Sequence, residues 1–342
     1  MAQVGTPELA AAVADSGGLG MVVPSRDTAR VLDRLAEQTS GVVGINFLIP
    51  FVDVEVVEAA ASRARVVEFH YGQPDPGLVE RVHRSGALAA WQVGSAEEAR
   101  SAEDAGCDFV VAQGIEAGGH VRGSLPLFVL LDHVLDSVEV PVVAAGGIGT
   151  ARAVAAALAT GAAGVRVGTR FVASAESGAH PRYVEALIEA DETETVLSTT
   201  FWAGWPDAPH RTLKSCVDAA NAFKGDVVGE LHDGASTTPI QRFAPPPPNR
   251  TTTGAIEANG SLRRDVRRRG ATRATRSRDR RRVDQRRRAP AAGMGRIVST
   301  SLMQRESRNP RLSRGQRAGT GARAIQTLRP YVCSDIRQFA NR

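Results

Sequence analysis

Short apolar segments that recur mostly every 20–30 residues constrain the fold of this chain more than any other feature. Each segment has five or six residues and is rich in Val. Nearly continuous apolar character is typical of parallel strands that helices cover on both faces, whereas half-exposed strands alternate. The seven predicted strands are residues 19–23, 42–47, 66–71, 88–93, 108–112, 141–145 and 164–168.

Helix signals lie between these predicted strands. Thr6 stands in an N-cap position before Pro7, and Gly17 follows the Ala-rich stretch that would form the helix. Thr150 and Gly161 bracket a second Ala-rich stretch in the same way. Thr at the cap, Pro at the first helical position and Gly past the end are the usual helix boundaries. The chain is therefore predicted to consist of repeated βα units.

The number of βα units predicts a TIM (β/α)₈-type barrel that lacks its first strand. Eight strands are needed, seven are found, and a helix begins at residue 7 with no strand in front of it. We expect the absent strand to be encoded upstream of Met1. The rival fold is an open doubly wound sheet, which tolerates seven strands. The dinucleotide fingerprint G-x-G-x-x-G does not follow the first strand, which weakens the nucleotide-binding version of that rival.

Charge divides the chain into unequal parts. Residues 1–249 carry 17 basic and 31 acidic side chains, a net charge of −14, while residues 250–342 carry 25 Arg and 6 acids, a net charge of +19. We predict a barrel over residues 1–245, a Pro-rich linker over 246–258 and an Arg-rich tail over 259–342. The tail is interpreted as disordered or as translated out of frame. A nucleic-acid-binding arm is the less favoured interpretation, because aromatic side chains are nearly absent.

Cysteine usage and hydropathy exclude several other classes of protein. Cys107, Cys216 and Cys333 are widely spaced without a CxxC motif, which indicates neither a disulfide framework nor a metal site. No apolar stretch reaches the length of a membrane span, and no signal peptide is visible at the N-terminus. We therefore expect a cytoplasmic protein without a membrane partner. The sequence does not determine the oligomeric state.

Two glycine turns follow the last two predicted strands and suggest an anion site. Gly146-Gly147 follows "PVVAA", and Gly168-Thr169 ends "GVRVG". Glycine lets backbone N–H groups approach a phosphate, and barrel enzymes often bind phosphate after strands 7 and 8. The alternative is that each turn merely needs glycine, an interpretation that loses weight when both turns lie at one rim.

The stretch "QGIEAGGH" follows the strand at 108–112 and belongs to the same rim. Gln113 offers an amide for a ring with carbonyl and N–H groups, and Gly118-Gly119 let the backbone pass close to that ring. His120 is a candidate proton-transfer group, with a surface or core histidine as the alternative. Asn46 offers a second rim amide, although singly it fits a structural role. His70 ends another strand, but no spacing supports a metal site with His120.

The stretches "VVAQGIEAGGHVRG", "PVVAAGGIGTARAVAAALATGAAGVRVGTRFVAS" and "FWAGWPDAPHR" resemble the nitronate monooxygenase family over about residues 1–258. The resemblance implies an FMN enzyme on a TIM barrel that oxidises alkyl nitronates or nitroalkanes with O₂ to a carbonyl compound and nitrite. It also implies that His120 is the catalytic histidine beside the flavin. The residues expected to hold FMN, the last four around its phosphate, are Asn46, Gln113, Gly118, Gly147, Arg166, Val167, Gly168 and Thr169.

Two departures from the family pattern keep alternatives open. The first strand of the family is missing, and the Arg-rich tail replaces the helix expected after "TTTGAIEA". The alternatives are an FMN-dependent enoyl-acyl-carrier-protein reductase that uses NAD(P)H, which resembles the family in fold and in its "GGH" and "AAGGI" segments, and an inactive truncated fragment.

Overall fold

A seven-stranded parallel sheet forms the centre of the computed structural model, which describes residues 4–234 and 236–260. Five of its six strand pairings join strands that follow one another along the chain, and the sixth, β5 with β7, passes over a short strand, β6. The sheet curls as a barrel sheet does, so the predicted fold class is confirmed. The first and last strands, β1 and β8, are its two edges. The strands are β1 Leu19–Val22, β2 Val42–Leu48, β3 Val66–His70, β4 Leu88–Val93, β5 Phe109–Gln113, β6 Gly119–His120, β7 Val142–Ala145 and β8 Gly164–Arg166.

Helices connect these strands and cover the outside of the sheet, and three more helices follow β8. Thr6 and Thr150 cap two of them as predicted, since their side chains accept hydrogen bonds from Leu9 N at 3.1 Å and Ala153 N at 3.2 Å. The strand bounds lie within two residues of those predicted. The helices are α1 Pro7–Asp15, α2 Thr28–Gln38, α3 Val54–Ala61, α4 Pro76–Arg84, α5 Ala96–Asp104, α6 Leu127–Leu135, α7 Ala151–Ala159, α8 Thr169–Val172, α9 Pro181–Glu189 and α10 Lys214–Ala222.

The sheet has a separate apolar cluster on each of its two faces. The outer face packs against the helices in the larger cluster, which includes Trp91, Phe69 and Leu130. The inner face carries a smaller cluster built from residues such as Val66 and Val111. Because side chains alternate along a strand, the inner face continues every second residue towards the carboxyl ends, where the apolar side chains give way to polar ones.

Two small antiparallel sheets complete the described chain. The first, in the order β6-β10-β9, joins β6 to β9 Thr195–Ser198 and β10 His210–Leu213. The second has the order β12-β11-β13, with strands β11 Val227–Asp233, β12 Ser236–Gln241 and β13 Thr252–Gly254. No helix among the described residues combines the length and apolar character needed to cross a bilayer.

The segment expected to be a linker, residues 246–258, contains ordered elements. It includes β13, which pairs with β11, and the 3₁₀ turn Ile256–Ala258, whose Ile256 is buried. The boundary predicted between the barrel, residues 1–245, and the linker, residues 246–258, stays a prediction. Of the tail predicted over 259–342, all but Asn259 and Gly260 lies outside the described residues.

Candidate active site

Polar side chains gather on the inner face of the sheet, near the carboxyl ends of its strands. Strand register aligns Asn46 with Glu68 across β2 and β3, and Gln113 with Ala145 and Arg166 across β5, β7 and β8. Gln92 of β4 lies on the same face. In barrel enzymes this rim is where active sites are built. The register thus brings together Asn46, Gln113 and Arg166, three of the residues that sequence reasoning selected.

A buried carboxylate, which the sequence analysis missed, ties part of this rim together. Glu68 is only 3% exposed. Its Oε1 accepts a hydrogen bond from Asn46 Nδ2 at 2.7 Å and forms an ion pair with Arg166 Nη1. The same Nη1 donates to Gln92 Oε1 at 2.9 Å. A buried charge is costly unless it is paired, so Glu68 requires the cation of Arg166, whose own side chain is 29% exposed.

The network continues through Gln92 to a buried histidine, His70. Gln92 Nε2 lies 2.8 Å from His70 Nε2 and, as an amide, is the donor of that pair. Burial, followed by the charge of Arg166, lowers the pKa of His70 well below its ordinary value. His70 is therefore neutral near pH 7, as an acceptor from Gln92 must be. His70 is the last residue of β3 and so lies at the carboxyl rim of the sheet.

The segments expected at a phosphate lie at the ends of β7 and β8. The Arg166 side chain is directed to Glu68 and Gln92 inside the barrel, which leaves the backbone from Val167 to Thr169 as the group available to an anion. A Cβ added to Gly168 would meet no atom within 4 Å. Gly146 differs, because its φ is +105° and an added Cβ would lie 3.0 Å from Gly114 O.

The "QGIEAGGH" segment is an ordered loop rather than a loose connection. Gly114 N donates to Ala145 O at 2.9 Å, and Glu116 Oε2 accepts from Leu127 N, also at 2.9 Å, at the start of α6. Arg211 donates through Nε and Nη2 to Ile115 O at 3.2 and 3.0 Å. The loop then forms β6, which pairs with β10. Its position is therefore fixed from three sides.

Within this loop, two buried polar atoms have no hydrogen-bond partner. Gln113 uses its Nε2 to donate to His120 O at 3.0 Å, but its Oε1 is unpaired. His120 Nε2 is also buried and unpaired. Leaving such atoms unsatisfied costs about 1–3 kcal/mol each, so they call for an explanation, and a bound ligand is one. Gly118, also selected from the sequence, precedes β6 in the same loop.

The environment of His120 keeps its imidazole neutral. Burial, with a smaller contribution from nearby His210, lowers the pKa of His120 to about 3. The His210 ring centroid lies 5.3 Å away. The His120 ring is also stacked on Trp205, with 4.1 Å between centroids and 25° between planes, and Tyr71 meets it edge-on at 5.9 Å and 87°.

Sequence reasoning missed Glu68, Gln92, Tyr71, Trp205 and His210. A signal existed for the first two, since each is a polar residue near the carboxyl end of an otherwise apolar strand, in "VVEFH" and "LAAWQV". Trp205 and His210 lie in the quoted stretch "FWAGWPDAPHR", but nothing in that stretch marks their contacts, and no local signal marks Tyr71. Within the described part of the chain, no cluster of three or more His, Cys, Asp or Glu side chains is arranged to hold a metal ion.

This chain has a curled parallel sheet with polar side chains and an imidazole at its carboxyl rim, which is the arrangement found in barrel enzymes. Comparison with known families then identifies which one. The family described as nitronate monooxygenase matches residues 42–242, more than half of the chain. The chain belongs to the nitronate monooxygenase family.

Individual relatives agree with this assignment. A probable nitronate monooxygenase of Staphylococcus aureus (strain JH9) is 30% identical over 252 residues, covering 59% of this chain and 71% of the relative. The structure of FabK from Thermotoga maritima superposes with a TM-score of 0.59 at 36% identity, covering 64% of this chain and 71% of that one. A nitroalkane oxidase structure from Streptomyces ansochromogenes gives a TM-score of 0.56 at 34% identity, covering 64% and 76%. The first and third of these relatives are oxidoreductases by name.

Proposed function

We propose that this chain is an FMN-dependent oxidoreductase that oxidises alkyl nitronates, and nitroalkanes after proton removal, with O₂ to a carbonyl compound and nitrite. The observation that carries the proposal is the pair of unpaired buried atoms, Gln113 Oε1 and His120 Nε2, at the carboxyl rim of a barrel. Membership of the nitronate monooxygenase family and similarity to a nitroalkane oxidase support the reaction type.

The rim residues fit a flavin mononucleotide. Gln113 Oε1 can accept from a ring N–H group, and Asn46 adds a second amide on the same face of the sheet. The backbone N–H groups around Gly147 and from Val167 to Thr169 would face the phosphate, with Gly118 beside the ring. When bound, FMN supplies the two-electron chemistry that the side chains of this site lack.

His120 is the residue to which we assign the proton step. A neutral imidazole at pH 7 can take a proton from the carbon that bears the nitro group, as a general base must. The low pKa of His120 in the free chain makes it a weak base, but a nitronate anion formed beside the ring would raise that pKa by its charge. The imidazolium formed by that proton transfer then lies beside the nitronate anion and stabilises it by charge.

The competing proposal, an NAD(P)H-dependent enoyl reductase, differs in what reduces the flavin. The structural similarity to an enoyl reductase domain is at 15% identity and concerns the fold alone. The test is anaerobic mixing of the FMN-loaded chain with an alkyl nitronate or with NADPH, while the flavin absorbance is recorded. We expect bleaching by the nitronate and none by NADPH.

Each result of that experiment has one meaning. Bleaching by NADPH alone would replace the monooxygenase proposal with the reductase. A chain that binds no FMN, and therefore has no flavin spectrum, would refute both and favour the inactive fragment.

A further inference from the structure

A loop between β9 and β10 is fastened at both ends by one buried imidazole. We call residues 201–209 the tryptophan loop. His210, which is 1% exposed, accepts a hydrogen bond at Nε2 from Phe201 N at 3.2 Å and donates from Nδ1 to Ala208 O at 2.9 Å. One ring therefore holds the two ends of the loop together. Its tautomer follows from these partners, since a backbone N–H can only donate and a carbonyl can only accept.

The same histidine places the loop beside the proposed active site. His210 is the register partner of His120 in the β6–β10 pair. Within the loop, Trp205 N donates to Trp202 O at 2.9 Å, and Asp207 has a φ of +57°, so the chain turns sharply on either side of Trp205. The indole comes to lie flat on the His120 imidazole.

Further aromatic contacts fix the plane of the Trp205 ring. Tyr71 meets it at 4.7 Å and 69°, and Phe51 meets it at 5.1 Å and 84°. Such edge-to-face contacts contribute about 0.5–1.5 kcal/mol each beyond the area that they bury. Tyr71 also has a φ of +68°, an uncommon backbone conformation for a non-glycine residue, and its ring borders His120 as well.

We propose that Trp205 is a positioning residue for His120: it covers one face of the imidazole and holds the ring plane so that the Nε2 edge faces the substrate. This inference rests on the proposed role of His120 in proton transfer. The alternative is that Trp205 only packs the loop. Trp202 provides a matched control, since it belongs to the same loop, is 54% exposed and stacks on Phe243 instead, at 6.4 Å and 26°.

The physical consequence of removing the indole can be worked out. Without Trp205, water reaches the covered face of the His120 ring, and burial is the main cause that lowers the pKa of His120. That pKa should therefore rise. The imidazole also gains rotational freedom, and a displacement of about 1 Å in a reacting group can cost about 10²-fold in rate.

Histidine NMR tests this directly in the full-length chain, with and without added FMN. The His120 Cε1–H resonance is assigned as the one that His120→Asn removes. In Trp205→Ala we expect it to move downfield, because the shielding of the stacked indole is lost. We also expect the pKa of His120 to rise by about one unit or more. Trp205→Phe should restore much of both, and Trp202→Ala should change neither.

Turnover gives a second readout. For a neutral nitroalkane we expect Trp205→Ala to lower kcat by about 10- to 10²-fold and to move the acidic limb of the pH–rate profile upward, with Trp202→Ala like wild type. The inference is overturned if Trp205→Ala and Trp202→Ala leave the His120 resonance and pKa alike. If Trp205→Ala does not fold, Trp205→Leu takes its place because it also removes the aromatic ring, and an unchanged His120 resonance in Trp205→Leu would overturn the inference. If the His120 resonance and pKa change in Trp205→Ala as expected but the wild-type chain turns over no nitro compound, the proposed function is refuted and the positioning of His120 by Trp205 is not.

Discussion

Loss of the ion pair between the buried Glu68 and Arg166 should lower the free energy of unfolding by an amount that the structure allows us to predict. Glu68→Ala removes the acceptor of both Arg166 and Asn46. Removing one partner of a buried pair usually costs about 3–5 kcal/mol, because the remaining charge is left uncompensated. The Arg166 side chain is 29% exposed, so water can solvate part of its charge. We therefore expect a cost at or just below the lower end of this range, about 2–3 kcal/mol.

A double-mutant cycle measures the pair itself. Urea unfolding of wild type, Glu68→Ala, Arg166→Ala and the double variant would supply the four free energies of unfolding. The double variant should be more stable than the sum of the two single losses implies, by about 1–3 kcal/mol, because no unpaired charge remains in it. Removal of Arg166 still leaves Gln92 Oε1 without its donor, so the compensation should be incomplete.

The exposed pair between Glu80 and Arg84 on α4 serves as the control. Both side chains are more than half exposed, and such pairs contribute little, so Glu80→Ala should barely move the unfolding midpoint. If Glu68→Ala proves as mild as Glu80→Ala, or if the two single losses add without coupling, the pair does not hold the rim together as described.

Other predictions concern the phosphate turns and pH. Gly168→Ala should leave the stability of the chain near wild type, since the added Cβ meets no atom within 4 Å, yet weaken retention of FMN in gel filtration; undiminished FMN binding would show that no phosphate lies against Gly168. Gly146→Val should instead destabilise the chain itself, measured by urea unfolding, because of its φ of +105° and the nearby Gly114 O, and a stable variant would contradict this. Acid should destabilise the fold, because burial lowers the pKa values of His70, His120 and His210, so the unfolded chain binds more protons below pH 6.5. Each of these histidines should contribute a loss of up to about 1.4 kcal/mol per pH unit as the pH falls from 6.5 towards its folded pKa, and unfolding curves that do not change over pH 4–7 would refute it.

The elements of the barrel could be predicted because their signals are local. The Val-rich runs identified the strands to within two residues, and Thr6 and Thr150 cap helices as their positions suggested. The loop that starts at Gln113 was also recognisable, since glycines and a histidine directly after a buried strand are unusual for a connection. These features need only the residue types and their spacing.

Contacts between distant segments could not be predicted in the same way. Glu68 and Arg166 are 98 residues apart, and their pairing depends on the register of seven strands. The stacking of Trp205 on His120 depends on where His210 fastens a loop. The direction of the Arg166 side chain, into the barrel and onto Glu68, follows from strand alternation only once the register is known.

The role of His120 is the central claim, and the most direct measurement compares two forms of one substrate. His120→Asn should retain FMN but oxidise a neutral nitroalkane about 10²–10⁴-fold more slowly than wild type, the usual contribution of a general base. The preformed nitronate has already lost the proton, so its kcat/KM should fall much less. Equal, small losses on both forms would contradict the account and leave the glycine loop with cofactor binding alone.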